Sequence, residues 1–143
     1  MNNKNYVIIM AAGHGTRMGS KLPKQFMSLG GKAILQRTIM KFADACPGIR
    51  IITVLPPDGE YGKWWKDYCI RVNFSCPQII VRGGITRFHS VKAALAKVPD
   101  GAIVAIHDGV RPMLTREMIR TMFGSIDTDP DCHALIPVLP SID

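Results

Sequence analysis

Tyr6-Val-Ile-Ile-Met-Ala-Ala-Gly-His-Gly-Thr-Arg-Met-Gly-Ser-Lys-Leu-Pro-Lys-Gln25 joins an apolar run to a glycine-rich, basic loop. The run is continuous rather than alternating, as expected of a strand covered on both faces. The glycines let backbone approach a ligand closely, and successive N–H groups can cradle phosphate oxygens. Gly13-x-Gly15 is not a dinucleotide fingerprint, because position 18 is Met and the next convincing apolar helix begins near Ala33. It is not a Walker A loop either, since no Gly-Lys-Ser/Thr follows. What remains reads as an irregular loop of about 20 residues, long enough to suggest function. It carries Arg17, Lys21 and Lys24. Cations in a phosphate loop suit a triphosphate whose bond is being broken, because negative charge develops there.

Similar apolar runs recur at Ile49–Leu55, Gln78–Val81, Ala102–Ile106 and Ala134–Val138. Helical stripes separate them: Ile34, Leu35, Thr38, Ile39, Phe42 and Ala43; then Val91, Ala94, Leu95 and Val98; then Met118, Ile119, Met122, Phe123 and Ile126, with Thr115 as N-cap. A weaker helix surrounds Trp64 and Trp65. Strand–helix alternation predicts right-handed βαβ crossovers and an α/β fold, a Rossmann-like, mostly parallel sheet with helices on both faces. In such sheets ligands sit beyond the carboxyl ends of the strands. Attention therefore falls on three loops: the one after Ala11, Arg82-Gly-Gly-Ile-Thr-Arg-Phe-His-Ser90, and His107-Asp-Gly-Val-Arg-Pro112.

The Gly83-Gly84 loop can be a plain turn with Thr86 or Ser90 as helix cap, or an anion or base-edge reader at a helix start. Asp108, just past a buried strand, can hold a metal or a substrate hydroxyl, with Gly109 allowing close approach and Arg111 binding phosphate. An Asp108–Arg111 ion pair fixing the turn is compatible with that role. His107 reads as a hydrogen-bonded core histidine. His14, His89 and His133 show no ligand spacing, and the methionines read as packing.

At 143 residues, 47% apolar and 20% charged, the chain fits one domain, residues 1–143, with a core of its own. Neither a membrane span nor a signal peptide is legible. Four scattered cysteines lack Cys-x-x-Cys spacing, so reduced thiols in a cytoplasmic protein are expected. The net charge of +7 suits an anionic partner. A nucleic-acid module is disfavoured because no aromatic stacking platform accompanies the charge.

Taken together, Ala-Ala-Gly-x-Gly-x-Arg-Met-Gly (11–19), Pro-Lys-Gln (23–25), Leu-Gly-Gly-Lys (29–32), Gly-Gly-x-x-Arg-x-x-Ser-Val (83–91) and His-Asp-Gly-x-Arg-Pro (107–112) resemble the 2-C-methyl-D-erythritol 4-phosphate cytidylyltransferases of the non-mevalonate isoprenoid pathway. The resemblance implies transfer of CMP from CTP to that sugar-alcohol phosphate, with a divalent metal, normally magnesium. It assigns transition-state stabilisation to Arg17 and Lys24. It places Ala11, Ala12, Gly13, Gly15, Thr16, Gly83, Gly84, Arg87, Ser90 and Gly109 at CTP, and Asp108 and Arg111 at the second substrate, with Asp108 also as metal ligand. It further implies a homodimer that binds neither nucleic acid nor membrane. Members of this family continue beyond the segment matching this chain, through a dimerisation arm that also supplies substrate-phosphate cations, so a C-terminally short domain is expected. Ribitol-5-phosphate cytidylyltransferases share the three loops but tend to begin the first with Ala-Gly-Gly; here it is Ala11-Ala12-Gly13. A non-catalytic CTP-binding fragment is the third expectation.

Overall fold

The computed structural model describes residues 4–13 and 22–138. Its centre is a four-stranded parallel sheet of β1 (Asn5–Met10), β4 (Arg50–Leu55), β5 (Ile79–Arg82) and β6 (Ile103–Asp108), in the order β5-β4-β1-β6. β1 is flanked on both sides, pairing Tyr6 with Arg50 across one edge and with Val104 across the other. A two-stranded antiparallel ribbon, β2 (Ser28–Leu29) with β3 (Lys32–Ala33), precedes the first long helix. The helices are α1 (Ile34–Ala45), α2 (Gly59–Arg71), α3 (Arg87–Leu95) and α4 (Arg116–Thr128).

Side chains on a strand alternate between faces, so each apolar run divides between two cores. Val7 and Ile9 of β1 with Ile51 and Leu55 of β4 pack against Leu35, Ile39 and Phe42 of α1, Trp65 and Tyr68 of α2, and Ile119 and Phe123 of α4. Tyr6, Ile8, Met10, Ile52, Val54 and Val81 point the other way, onto Ala94 of α3. Buried polar groups are matched: Gln78 Oε1 accepts from both Thr53 Oγ1 (2.7 Å) and Trp65 Nε1 (3.0 Å). Tyr68 donates to Gln36 Oε1 (2.6 Å) and accepts from the Ala33 amide (2.8 Å), tying α2 to the start of α1.

Helix starts follow their caps. Asp58, Thr86 and Thr115 accept from the amides of Glu60, His89 and Met118. Thr115 caps α4 as the sequence predicts, and Thr86 rather than Ser90 caps α3. Two expectations fail. Ala134–Val138 is not a strand; among the described residues it pairs with nothing, and Pro137 cannot donate to a ladder. It lies instead along an apolar groove of about 410 Å³ between the outer side of β6 and α4. The stretch after Ala11 is also less irregular than its composition suggests. A 3-10 turn occupies Lys24–Phe26, and Gly30-Gly31 closes the ribbon with φ of 62° and 87°. Positive φ at both central residues is what a two-residue hairpin turn requires.

The four cysteines are free and half-buried. Burial pushes the Cys69 thiol up to about 11, opposed by a hydrogen bond with Gln78 and reinforced by nearby Cys76. No helix among the described residues is long and apolar enough to cross a membrane.

The partition of the core predicts that Leu35→Ala, at a fully buried position of α1, lowers unfolding free energy by about 2–5 kcal/mol. Ile70→Ala, at a position 79% exposed on α2, should change it by less than about 0.5 kcal/mol. Urea denaturation of both variants checks the contrast.

Candidate active site

The carboxyl ends of β1, β5 and β6 meet at one cleft of about 770 Å³, lined by Ala11–Gly13, Lys24, Gln25, Gly84–Arg87, Ser90 and Asp108 among others. The strand order reverses at β1, with β4 and β5 added on one side and β6 on the other while all four strands stay parallel, so the cleft lies at the switch point where α/β sheets bind ligands. Three backbone bonds carry the ladder past the strands: Ala11 N to Val54 O (2.8 Å), Gly83 N to Leu55 O (2.7 Å) and Gly109 N to Met10 O (2.8 Å). The first residue of each loop is thereby fixed by the sheet.

Glycine at these positions answers to space rather than to backbone angle. A Cβ on Gly83 would lie 2.8 Å from Ala12 Cβ, 2.9 Å from Leu55 O and 3.0 Å from Ser90 Oγ. One on Gly84 would collide with His89 Cβ, and one on Gly109 would press on Leu35 and Met10. Gly13 meets nothing within 4 Å, so a side chain there would enter the open cleft. Ser90 is buried, and its Oγ accepts from the Gly84 amide at 3.0 Å. The Gly83-Gly84 turn is thus tied to the first turn of α3.

On the far wall, Asp108 faces two guanidinium groups. Arg87 donates to Oδ1 and Arg111 to Oδ2, each at 3.1 Å. The Asp108–Arg111 pair read from sequence is therefore present, and Arg87 joins it. Arg87 reaches Asp108 across 21 residues of sequence. The side chains of both arginines are more than half exposed. Pairs this open are worth about 0–1 kcal/mol to stability, so fold stability gives little reason for three charges to converge here. His107 is half-buried, edge-on to Phe42 with its Nε2 2.8 Å from Arg111 O, in the hydrogen-bonded setting expected. Thr38, buried on α1, donates to Gly109 O (2.8 Å) and steadies the same turn from below.

Asp108 is the sole carboxylate lining the cleft among the described residues, which contain no cluster of three or more acidic, His or Cys groups. Magnesium is commonly held by one or two carboxylates together with substrate phosphates. The donor set therefore fits a cation that arrives with a polyphosphate. Lys24 is exposed at the mouth, on the 3-10 turn. Of the expected site residues, Gly15, Thr16 and Arg17 lie outside the described residues. The others, Ala11, Ala12, Gly13, Lys24, Gly83, Gly84, Arg87, Ser90, Asp108, Gly109 and Arg111, come from three separate loops and gather around this cleft.

The sequence profile of the 2-C-methyl-D-erythritol 4-phosphate cytidylyltransferases matches residues 5–143. The chain belongs to that family. Among curated relatives, the 2-C-methyl-D-erythritol 4-phosphate cytidylyltransferase of Phocaeicola vulgatus is 43% identical over 138 residues, 96% of this chain and 61% of that protein. The corresponding protein of Bacteroides thetaiotaomicron is 42% identical over 140 residues, 98% of this chain and 62% of its own length. The chain thus spans about three-fifths of these cytidylyltransferases. Among solved structures, the 4-diphosphocytidyl-2C-methyl-D-erythritol synthase of Anaerococcus prevotii superposes with a TM-score of 0.67 at 27% identity, covering 87% of this chain and 51% of that one. Another synthase of the same name, 19% identical, shares the fold with a TM-score of 0.68.

Gly84→Ala should destabilise the fold by about 1–3 kcal/mol in urea denaturation, because the His89 collision displaces the turn from Ser90. Gly13→Ala, with room for the methyl, should leave thermal stability within about 0.5 kcal/mol of the parent.

Proposed function

We propose that this cytidylyltransferase-family chain binds CTP in the cleft and transfers its cytidylyl group to 2-C-methyl-D-erythritol 4-phosphate, releasing pyrophosphate. The observation that carries the reading is the convergence of the Ala11–Gly13, Gly83–Gly84 and Asp108–Arg111 loops on one cleft, in a chain matched by the family over residues 5–143.

The cytosine lies against the Gly83-Gly84 turn. There the absence of side chains leaves backbone carbonyls to accept from a small pyrimidine edge, while the Gly83 and Gly84 amides, donated to Leu55 O and Ser90 Oγ, hold the turn in register. The triphosphate follows the Ala11–Gly13 backbone, with Lys24 across the mouth. The substrate phosphate attacks the α-phosphorus as the bond to pyrophosphate breaks, and electron density collects on the α-phosphate oxygens and the leaving group. Fixed cations aimed at that position stabilise the transition state more than the ground state, which is what raises kcat. Lys24 supplies one such cation, and the family resemblance assigns a second to Arg17. Arg111 and Arg87, joined through Asp108, offer the incoming phosphate monoester a positive wall and Asp108 a hydroxyl acceptor. Asp108 is the residue that would hold a magnesium ion, on exchanging a guanidinium contact for it, and the ion would supply neutralisation of phosphate charge. A homodimer in the cytoplasm completes the reading, on the family resemblance together with the reduced, half-buried thiols.

The test is pyrophosphate release from CTP and 2-C-methyl-D-erythritol 4-phosphate with magnesium, run beside ribitol 5-phosphate. Release with the former alone supports the assignment, and release with ribitol 5-phosphate alone replaces it. Titration of CTP, UTP, ATP and GTP should show CTP preferred, since one lost buried hydrogen bond to the base costs about 1–3 kcal/mol. Equal thermal stabilisation by all four would remove the base from the Gly83-Gly84 turn. Lys24→Ala should lower kcat about 10²–10³-fold with little change in KM. A raised KM with intact kcat would assign Lys24 to ground-state binding instead.

A further inference from the structure

Gln25 sits beside Lys24 in the Pro-Lys-Gln segment, yet nothing in the proposed chemistry employs it. It is 3% exposed, an unusual position for a neutral amide with a long, flexible stem. Its Nε2 donates to Ala11 O at 2.8 Å and to Gly13 O at 3.1 Å, spanning 14 and 12 residues of sequence. Both acceptors belong to the loop that leaves β1, and both carbonyls are drawn toward the same nitrogen.

A peptide unit whose carbonyl is held in one direction presents its N–H in roughly the opposite one. Two carbonyls of the 11–13 segment turned onto Gln25 therefore withdraw two acceptor oxygens from the anion path, and the Ala11 carbonyl so held turns the Ala12 amide of the same peptide unit the opposite way. We infer that Gln25 is a positioning residue for polyphosphate. Its carboxamide orients the Ala11–Gly13 backbone as an anion cradle and, through its place in the 3-10 turn Lys24–Phe26, fixes the distance from that cradle to Lys24. The turn is itself anchored: Phe26 is buried against Trp64 with ring centroids 4.6 Å apart, and the Phe26 amide donates to Pro23 O at 3.0 Å. The inference rests on the nucleotide reading of the cleft and names the group that readies it.

The chemistry of the two bonds supplies a test that simple packing would not. Gln25→Met preserves length and volume but donates nothing. Gln25→Glu places a carboxylate against two carbonyl oxygens. That contact is repulsive when the group is ionised and becomes a single donated hydrogen bond when it is protonated. Burial and the facing carbonyls raise the pKa of the introduced carboxyl, so protonation grows as pH falls.

CTP and inorganic triphosphate binding would be measured by calorimetry between pH 6 and 8 for the parent and both variants. Amide hydrogen exchange of the 11–13 segment without ligand would be followed alongside, with α4 as an internal reference. The expected result is at least a tenfold loss of affinity for both ligands in Gln25→Met at every pH. In Gln25→Glu a comparable loss at pH 8 should shrink severalfold by pH 6 relative to the parent. Exchange in 11–13 should quicken at least tenfold in Gln25→Met while α4 is unchanged. Parental affinity and exchange in Gln25→Met, or losses that track exchange in α4, would overturn the inference. So would a pH response in Gln25→Glu no different from that of Gln25→Met. A parent chain that binds neither ligand would refute the nucleotide reading and with it a polyphosphate role for Gln25; accelerated exchange would then describe a structural clamp only.

Discussion

Three hydrogen bonds extend the parallel ladder one residue beyond its strands, and the cleft depends on them. Ala11, Gly83 and Gly109 donate to Val54, Leu55 and Met10, each loop taking its first coordinate from a neighbouring strand rather than from itself. Polar backbone inside a protein must be paired, so a chain leaving the sheet at these points has little freedom of direction. Two of the three donors are glycines packed so tightly that a methyl would press on backbone or buried side chains. Rigid scaffolding beneath short irregular segments gives loops the precision that positioning a phosphate requires.

Side chains from below complete the arrangement. Gln25, Thr38 and Ser90 are all buried, and each contacts backbone of a different loop. Arg87, Asp108 and Arg111 lie above them and stay open to solvent. The polar groups thus fall into two sets: buried neutral ones that shape the backbone, and more open charged ones that face the cleft. Such a division limits the desolvation cost of a strongly charged site, because no ion is buried to obtain the geometry.

Much of this was legible in the sequence for identifiable reasons. The apolar runs at Tyr6 and Ile49 gave β1 and β4, and the i, i+4 stripes gave α1 and α4, because a two-sided sheet imposes strong patterning on central elements. The cleft followed from strand polarity. The edges were harder. Ala134–Val138 has strand composition, but composition does not supply a pairing partner, and Pro137 removes a donor. The β2–β3 ribbon is two residues per strand, too short for any period, although Gly30-Gly31 between Leu29 and Lys32 was a readable hairpin turn. Gln25 stands in the Pro-Lys-Gln motif with no role legible there, since a polar residue's burial cannot be read from its neighbours in sequence. Arg87 meets Asp108, a contact spanning 21 residues that only the folded sheet brings together.

β1 precedes the other strands of its sheet in the sequence and is one of its two inner strands, lying between β4 and β6. Its pairing of Asn5 with Ile103 must wait for about 100 further residues to emerge. At ribosomal rates of about 5–20 residues per second that interval is roughly 5–20 s, far longer than hydrophobic collapse. Through it, the Tyr6–Met10 segment has one side without its native neighbour. The order of synthesis therefore leaves this inner strand long exposed to wrong partners, and the fold is expected to draw on chaperones that shield extended apolar segments until β6 arrives.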